Sequence, residues 1–291
     1  MRVLGVVASH RRLGNSEILV KEALRGAEAE GAETHLLRLS DFDLDFCDGC
    51  MACVFKRTGC HLQDDVSWLL ERLLDAGGLV IGAPTYFLAP AATIKTLTDR
   101  VMAVLDRLVR LPPRPAATIA VAGLPEWDQL AQPLLNKLAL VLGCRITGSM
   151  VAHAPGPGQI LLREETVTRA RELGRSVVTG EILPRPRNCC PICYSSFFIP
   201  AGGREVYCPL CRTRGRLLEA GGEVEVVFEP EALTHNRWSR EAMEHHFLGW
   251  IVPTREMFLK DLPRIREARQ PYLAMDDRWL RKPATTGTGE P

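Results

Sequence analysis

The sequence predicts a doubly wound parallel α/β domain, followed by a small β module and a helical tail. Three observations lead there. Up to Gly180, short apolar runs of strand length alternate with segments of helical spacing, and strands separated by helices require right-handed crossovers and a sheet covered on both faces. Cys47, Cys50, Cys53 and Cys60 crowd into one stretch between the second and third strands. Cys190, Cys193, Cys208 and Cys211 form two CxxC pairs beyond a linker rich in proline and arginine.

The chain has 291 residues, 46% hydrophobic and 24% charged, enough for one sizeable core and a smaller appendage. Its 36 basic and 35 acidic residues give a net charge of +1, which selects no class of partner. No apolar run approaches the ~20 residues of a membrane span, and Met1 leads straight into a strand without a charged segment, an apolar segment and a cleavage site. A soluble, cytoplasmic protein with no membrane partner is therefore expected. In a reducing compartment, the 10 cysteines read as metal ligands rather than disulfides.

Arg2 to Ala8 is a continuous apolar run, as expected of a parallel strand buried on both sides. It ends in the polar loop Ser9 to Ser16, after which Ile18, Leu19, Ala23 and Leu24 recur at helical spacing. A loop carrying hydroxyls, Gly14 and Arg11 thus joins a buried strand to a helix N-terminus, where backbone N–H groups and the helix dipole favour an anion. Ser9, Arg11, Gly14, Asn15 and Ser16 are the candidate phosphate contacts. Simple capping by Asn15 or Ser16 is the alternative, but it gives Ser9, Arg11 and Gly14 no role.

Thr34 to Leu39 reads as the second strand, Leu79 to Ala83 as the third, Ala117 to Ala122 as the fourth and Arg145 to Val151 as the fifth. Helices are expected at Ala91 to Val109, Gln129 to Leu142 and Glu164 to Thr179. In such sheets ligands sit beyond the carboxyl ends of the strands, at the switch in strand order. Pro84, Thr85, Tyr86 and Phe87 open the loop after the third strand at that edge. The two aromatics are either core residues or a platform for a flat heterocycle. Together the two loops point to a mononucleotide with an extended aromatic ring.

Within an insertion at 41–62, Cys47-x2-Cys50-x2-Cys53-x6-Cys60 brings four thiols together. Two intervening residues let neighbouring thiolates converge, and the looser fourth wraps a compact loop around a cube of iron and sulfide. Zinc, which more often takes two separated CxxC pairs, and a redox-active thiol set are the alternatives.

Ser9-x-Arg11-x-x-Gly14-Asn15-Ser16 after the first strand and Pro84-Thr85-Tyr86 after the third resemble the flavodoxin-like NAD(P)H-dependent FMN reductases. With the four-cysteine motif after the second strand, the chain resembles the iron-sulfur flavoproteins among them, over Met1 to Gly180. The resemblance implies FMN phosphate on Ser9, Arg11, Asn15 and Ser16, and an isoalloxazine against Pro84 to Phe87. It further implies a 4Fe-4S cluster on the four cysteines and a homo-oligomer, dimer or tetramer, in which the cluster approaches a neighbour's flavin. Members often carry a glycine-rich turn after the fourth strand; here the turn is Ala122-Gly123-Leu124-Pro125-Glu126-Trp127-Asp128. Gly123 keeps part of that role, and Pro125 and Trp127 reshape the flavin edge.

Pro184 to Asn188 is a short stiff linker, which sets expected boundaries of 1–183, 184–230 and 231–291. Two CxxC knuckles supply four thiolates at the corners of a tetrahedron, the pattern of a zinc ribbon, with Cys190, Cys193, Cys208 and Cys211 as ligands. A single iron, as in rubredoxins, fits the same corners, although no glycine follows either pair. Cys189 is a neighbour of the site. Tyr194 to Pro200 and Glu223 to Phe228 are the expected strands of this module. Six arginines lie between Arg185 and Arg216 against Glu205 alone, a basic face that admits nucleic acid; a solvated structural module is the preferred reading, because no basic and aromatic residues interleave. The tail, with Trp238, His245, His246, Phe247, Trp250 and Phe258, reads as two helices ending near Arg269 that pack on the core or a partner subunit. Lys282 to Pro291 reads as a frayed terminus.

A flavin exchanges two electrons or one, and an iron-sulfur cube exchanges one, so the pair converts between the two regimes. The expected function is an FMN-dependent iron-sulfur oxidoreductase that moves electrons from ferredoxin or NAD(P)H to an unidentified acceptor. No GxGxxG fingerprint follows a strand, so any NAD(P)H must stack on the flavin itself. No Ser/His/Asp set or paired carboxylates point to hydrolysis. The alternative from another class is a redox-sensing or structural metal-binding module that engages a partner through the basic ribbon.

Overall fold

Apolar residues run without interruption through the central strands because each is covered on both sides, whereas the edge strand at Glu33–Arg38 is largely exposed. In the computed structural model, which describes residues 1–280, they form β1 (Arg2–Val7), β2 (Glu33–Arg38), β3 (Gly78–Tyr86), β4 (Ala89–Pro90), β5 (Arg114–Ala122) and β6 (Cys144–His153). Five of these pair in parallel in the order β2-β1-β3-β5-β6, the flavodoxin-like winding whose switch in order falls between β1 and β3. β4 turns back antiparallel onto the end of β3, pairing Thr85 with Pro90 and Tyr86 with Ala89. The segment expected as a loop after the third strand is therefore a hairpin.

The helices of this layer are α1 (Asn15–Ala29), α2 (Ala52–Phe55), α3 (Val66–Asp75), α4 (Ala92–Arg100), α5 (Leu105–Leu108), α6 (Ala131–Val141) and α7 (Glu164–Thr179). Alternate strand residues feed two cores. Val3, Val7, Val80, Ile119 and Val121 face α1 and α7, while Val6, Leu79, Ile81 and Ala120 face α3, α4 and α6. The long helix expected over Ala91 to Val109 is broken by a 3-10 turn at Val101–Val104. α3, which the sequence reading passed over, buries Leu69, Leu70, Leu73 and Leu74. The guanidinium of Arg114 donates to the carbonyls of Leu73, Leu74, Ala76 and Leu142, tying the C-terminal ends of α3 and α6 together.

Beyond the linker, β7 (Ile199–Gly202), β8 (Glu205–Tyr207), β9 (Arg214–Ala220) and β10 (Glu223–Val227) make an antiparallel sheet in sequential order. The strand expected at Tyr194 to Pro200 is displaced to β7, because the residues after Cys193 are spent closing the first knuckle. The module sits on α6, where Asn136 Nδ2 donates to the Cys193 carbonyl at 2.9 Å. The tail holds α8 (Pro230–Thr234), α9 (Arg240–Glu244), a π-helical segment at His245–Ile251 and α10 (Thr254–Leu273), rather than two helices. Phe247 is buried and belongs to the same core as α6, whereas α10 buries no residue. The expectation for Lys282 to Pro291 lies outside the described residues. Among the described residues, no helix is long and apolar enough to cross a membrane.

Candidate functional site

The loop after β1, the β3–β4 hairpin and the loops after β5 and β6 meet in one cleft at the carboxyl edge of the sheet. Ser9, Arg11, Gly14, Asn15, Ser16, Pro84, Thr85, Tyr86 and Gly123 line it. Val121, Ala122, Ala154, Pro155 and Pro157 complete the wall. Phe87 is the one expected residue that stands apart: it occupies the hairpin tip and is 95% exposed.

The first loop is held by bonds within this chain. Ser9 Oγ accepts from the Arg11 N–H at 3.2 Å, and a side chain on Gly14 would press against the Arg11 carbonyl and Cβ at 3.1 and 3.2 Å. The Ile18 N–H donates to the Gly14 carbonyl, so the N–H groups of Asn15, Ser16 and Glu17 have no intrahelical acceptor. Asn15 spends its side chain elsewhere. Its Nδ2 donates to the carbonyls of Ala154 and Gly156 at 3.0 and 2.9 Å, and its Oδ1 accepts from the Ile160 N–H at 3.3 Å. Asn15 thus ties the loop after β1 to the loop after β6, and its backbone N–H remains for an anion.

Glu17, which the sequence reading did not single out, is buried behind the loop. Its carboxylate accepts from the Leu13 N–H at 2.7 Å, Lys21 at 2.6 Å and Arg38 at 2.8 Å. Burial pushes its pKa up, but these donors outweigh burial and hold it below the usual carboxylate range. The Leu13 contact matters because Leu13 sits in the left-handed region, with φ 51°. The hairpin is strained in the same way. Phe87 and Leu88 form its two-residue turn with φ 45° and 71°, positions that favour Asn and Gly. The Leu130 N–H donates to the Leu88 carbonyl at 3.0 Å, pinning the turn against the segment after β5.

Thr85 carries a buried Oγ1 with no hydrogen-bond partner among the described residues. An orphaned hydroxyl on the cleft wall, together with open first-turn N–H groups and Arg11, fits a polar heterocycle joined to a phosphate. FMN would lay its phosphate on the loop after β1 and its ring against Pro84, Thr85 and Tyr86, and would supply hydride and single-electron exchange there.

A second cavity lies in the loop after β2. Cys47, Cys50, Cys53 and Cys60 all line it, with Asp48, His61 and Arg100. Four residues in left-handed conformation, Gly49, Met51, Arg57 and Gly59, fold the loop back on itself. Asp48 Oδ1 accepts from the Cys50 N–H at 3.0 Å and its Oδ2 meets His61 Nε2 at 2.8 Å. Those contacts hold the exposed Asp48 carboxyl at about 2, led by the Cys50 N–H. Burial, and then the neighbouring thiolates of Cys60, Cys50 and Cys47, push the Cys53 thiol up.

Spacing separates this cavity from the ribbon site. Cys190, Cys193, Cys208 and Cys211 are fully buried, and their four sulfurs all lie within 4.8 Å of one another. A tetrahedral ion with ~2.3 Å bonds to sulfur needs that spacing. Among the described residues, no three of the loop cysteines come that close together, whereas Cys50 does so with Asp48 and His61. In the ribbon, Cys190 N–H donates to the Ser195 carbonyl and Cys208 N–H to the Thr213 carbonyl, both near 2.9 Å (2.8 and 2.9 Å). The positions after the two pairs, Tyr194 and Arg212, have φ 61° and 62°: the left-handed turn is kept without glycine. The four thiols hydrogen-bond to one another, which lowers the pKa of Cys190 and Cys208 and raises that of Cys193 and Cys211. The basic face is partly neutralised, because Arg216 pairs with Glu205 at 3.0 Å and Arg187 with Glu225 at 3.5 Å.

The family model of the NADPH-dependent FMN reductases matches residues 1–156. An iron-sulfur flavoprotein of Methanocaldococcus jannaschii is 41% identical over 101 residues, 34% of this chain and 51% of that protein, so the chain spans about half the length of this relative. A flavone synthase of Aspergillus candidus is 27% identical over 84% of this chain and 87% of its own length. Among solved structures, a flavone reductase superposes with a TM-score of 0.67 at 21% identity, covering 97% of this chain and 99% of that one; the shared fold therefore includes the ribbon and the tail. The family match takes in the loop after β1, the hairpin and the cysteine loop, more than half of the chain, and on that ground the protein belongs to the NADPH-dependent FMN reductase family.

Proposed function

We propose that the protein takes electrons from NAD(P)H or a small carrier such as ferredoxin and delivers them to a flat conjugated acceptor, using FMN and a 4Fe-4S cluster. The observation that supports this reading is the pair of cavities on one edge of the sheet: a cleft whose phosphate loop fits FMN and a cavity lined by four cysteines. The names of the archaeal relatives support the cluster. The acceptor class is supported by the relative named a flavone synthase, whose match extends over most of both chains. FMN contacts are assigned to Ser9, Arg11, Gly14, Ser16, Pro84, Thr85, Tyr86 and Gly123, to the Asn15 backbone, and to Phe87 only from an adjoining subunit. The cluster ligands are Cys47, Cys50, Cys53 and Cys60, and Cys190, Cys193, Cys208 and Cys211 hold zinc.

A homo-oligomer belongs to the same reading. Phe87, Leu124 and Trp127 are exposed on the hairpin and the loop after β5, both of which contribute to the cleft, and a second copy would cover them. Anaerobic purification followed by metal, sulfide and flavin quantification tests the proposal. About four iron, four sulfide, one zinc and one FMN per chain are expected, with the flavin bleached by NAD(P)H or reduced ferredoxin and reoxidised by a flavone. Two zinc with neither iron nor flavin would instead favour a structural or regulatory metalloprotein.

A further inference from the structure

Arg100 ends α4 at the wall of the four-cysteine cavity, and its side chain is only 1% exposed. Its Nη1 donates to Asp64 Oδ2 at 2.7 Å and to the Asp45 carbonyl at 2.8 Å, and its Nη2 donates to Asp64 Oδ1 at 2.9 Å. This two-point grip fixes the plane of the guanidinium. The remaining donor, Nε–H, is buried and has no acceptor among the described residues. Leaving a buried charged donor unmet costs more than leaving a neutral one unmet, so its partner is a group that this site receives. Cys60 lines the same cavity as Arg100, as do Cys47, Cys50 and Cys53.

We propose that Arg100 is the outer hydrogen-bond donor of the iron-sulfur centre, giving its Nε–H to a thiolate of that cavity and raising the reduction potential of that centre. The inference rests on the assignment of the four loop cysteines to a cluster. One electron added there adds one negative charge to four thiolates and their iron. A fixed positive charge and a hydrogen bond to a ligating sulfur both favour the more negative state. No bond breaks and no proton leaves Arg100. Asp64 positions the donor, and Asp45 and Asp43, whose N–H groups are held by Asp64 and Asp65 at 2.9 and 2.8 Å, fix the loop against it.

The test is an EPR-monitored redox titration of the anaerobically purified full-length protein, with iron and FMN counted for each sample. Arg100→Lys keeps the charge beside Asp64 but removes the planar fork and Nε–H, and Arg100→Gln with Asp64→Asn removes the pair without leaving a buried charge. In both variants the ratio of reduced to oxidised cluster at a fixed potential should fall, by about tenfold in the neutral pair, equivalent to about 59 mV for one electron. Wild-type protein labelled with 15N-arginine should show a nitrogen coupling to the reduced cluster by pulsed EPR, and Arg100→Lys should lose it. An unchanged midpoint at full iron occupancy overturns the proposal, as does a labelled wild type without the coupling, whatever the variants do. Iron-free wild-type protein overturns the cluster assignment and the proposal with it, an outcome distinct from a loaded cluster indifferent to Arg100.

Discussion

Asn15 separates what a residue's type announces from what its side chain does. An asparagine at a helix start beside a β1 loop suggests a phosphate ligand or a cap, and both readings are local. Here the side chain reaches across 139 to 145 positions of sequence to Ala154, Gly156 and Ile160, a role that no local pattern discloses. Asn15→Ala removes three hydrogen bonds of about 1 kcal/mol each and frees the loop after β6. FMN and riboflavin should then both bind at least tenfold more weakly to the apoprotein, measured by flavin fluorescence quenching. If FMN alone were weakened, the side chain would be a phosphate ligand after all. Ser9, Arg11 and Thr85 were legible because their chemistry is local to a strand end. The far wall at Ala154, Pro155 and Pro157 was not, since it offers small apolar groups and backbone, and its one signal was the Pro155-Gly156-Pro157-Gly158 run after the fifth strand.

Elements were legible wherever one periodicity held throughout. α7 falls at its expected bounds, and the five parallel strands overlap the segments expected for them. α3 repeats leucines at helical spacing, but it follows a cysteine loop with no periodicity to mark its start. The break after α4 was hidden because apolar spacing continues through Val101 and Val104; it comes where Arg100 anchors the chain to Asp64. The pairing of α1 with α7 depends on two glycines that no periodicity highlights. A Cβ on Gly174 would lie 1.6 Å from the Ala23 carbonyl oxygen, and one on Gly26 would lie 2.0 Å from that of Arg171. Both obstacles are helix backbone, so neither can rotate away. Gly174→Ala must therefore push α7 off α1, at a cost of about 3 kcal/mol or more. Calorimetry should show a melting temperature lower by about 6–12 °C, whereas a change under 2 °C would mean that the crossing is looser than drawn.

At the scale of the whole molecule, the ribbon is joined to the flavin-binding layer through polar as well as apolar contacts. Thr118, Ser149 and Asn136 form a buried network in the sheet and α6, and Asn136 extends it to the Cys193 carbonyl inside the first knuckle. The Arg237 N–H donates to the Cys211 carbonyl at 2.8 Å, linking the second knuckle to the tail. The ribbon sheet itself is thinly buried: all four residues of β7 are exposed, and only Val206 of β8 is buried. A sheet so thinly buried would draw its stability from the zinc proposed for it, and structural zinc contributes about 10–16 kcal/mol in small fingers. Cys208→Ser should therefore unfold 184–230 while leaving the parallel sheet intact, because the core against α1 and α7 contains no residue of 184–230, even though the opposite core also takes in the four ribbon cysteines. Limited proteolysis should then cut within 184–230, and FMN should remain bound to the protected fragment. Loss of FMN together with the ribbon would show that the knuckle on Asn136 supports the sheet as well as leaning on it. That outcome would make the flavin domain and the metal module a single cooperative unit.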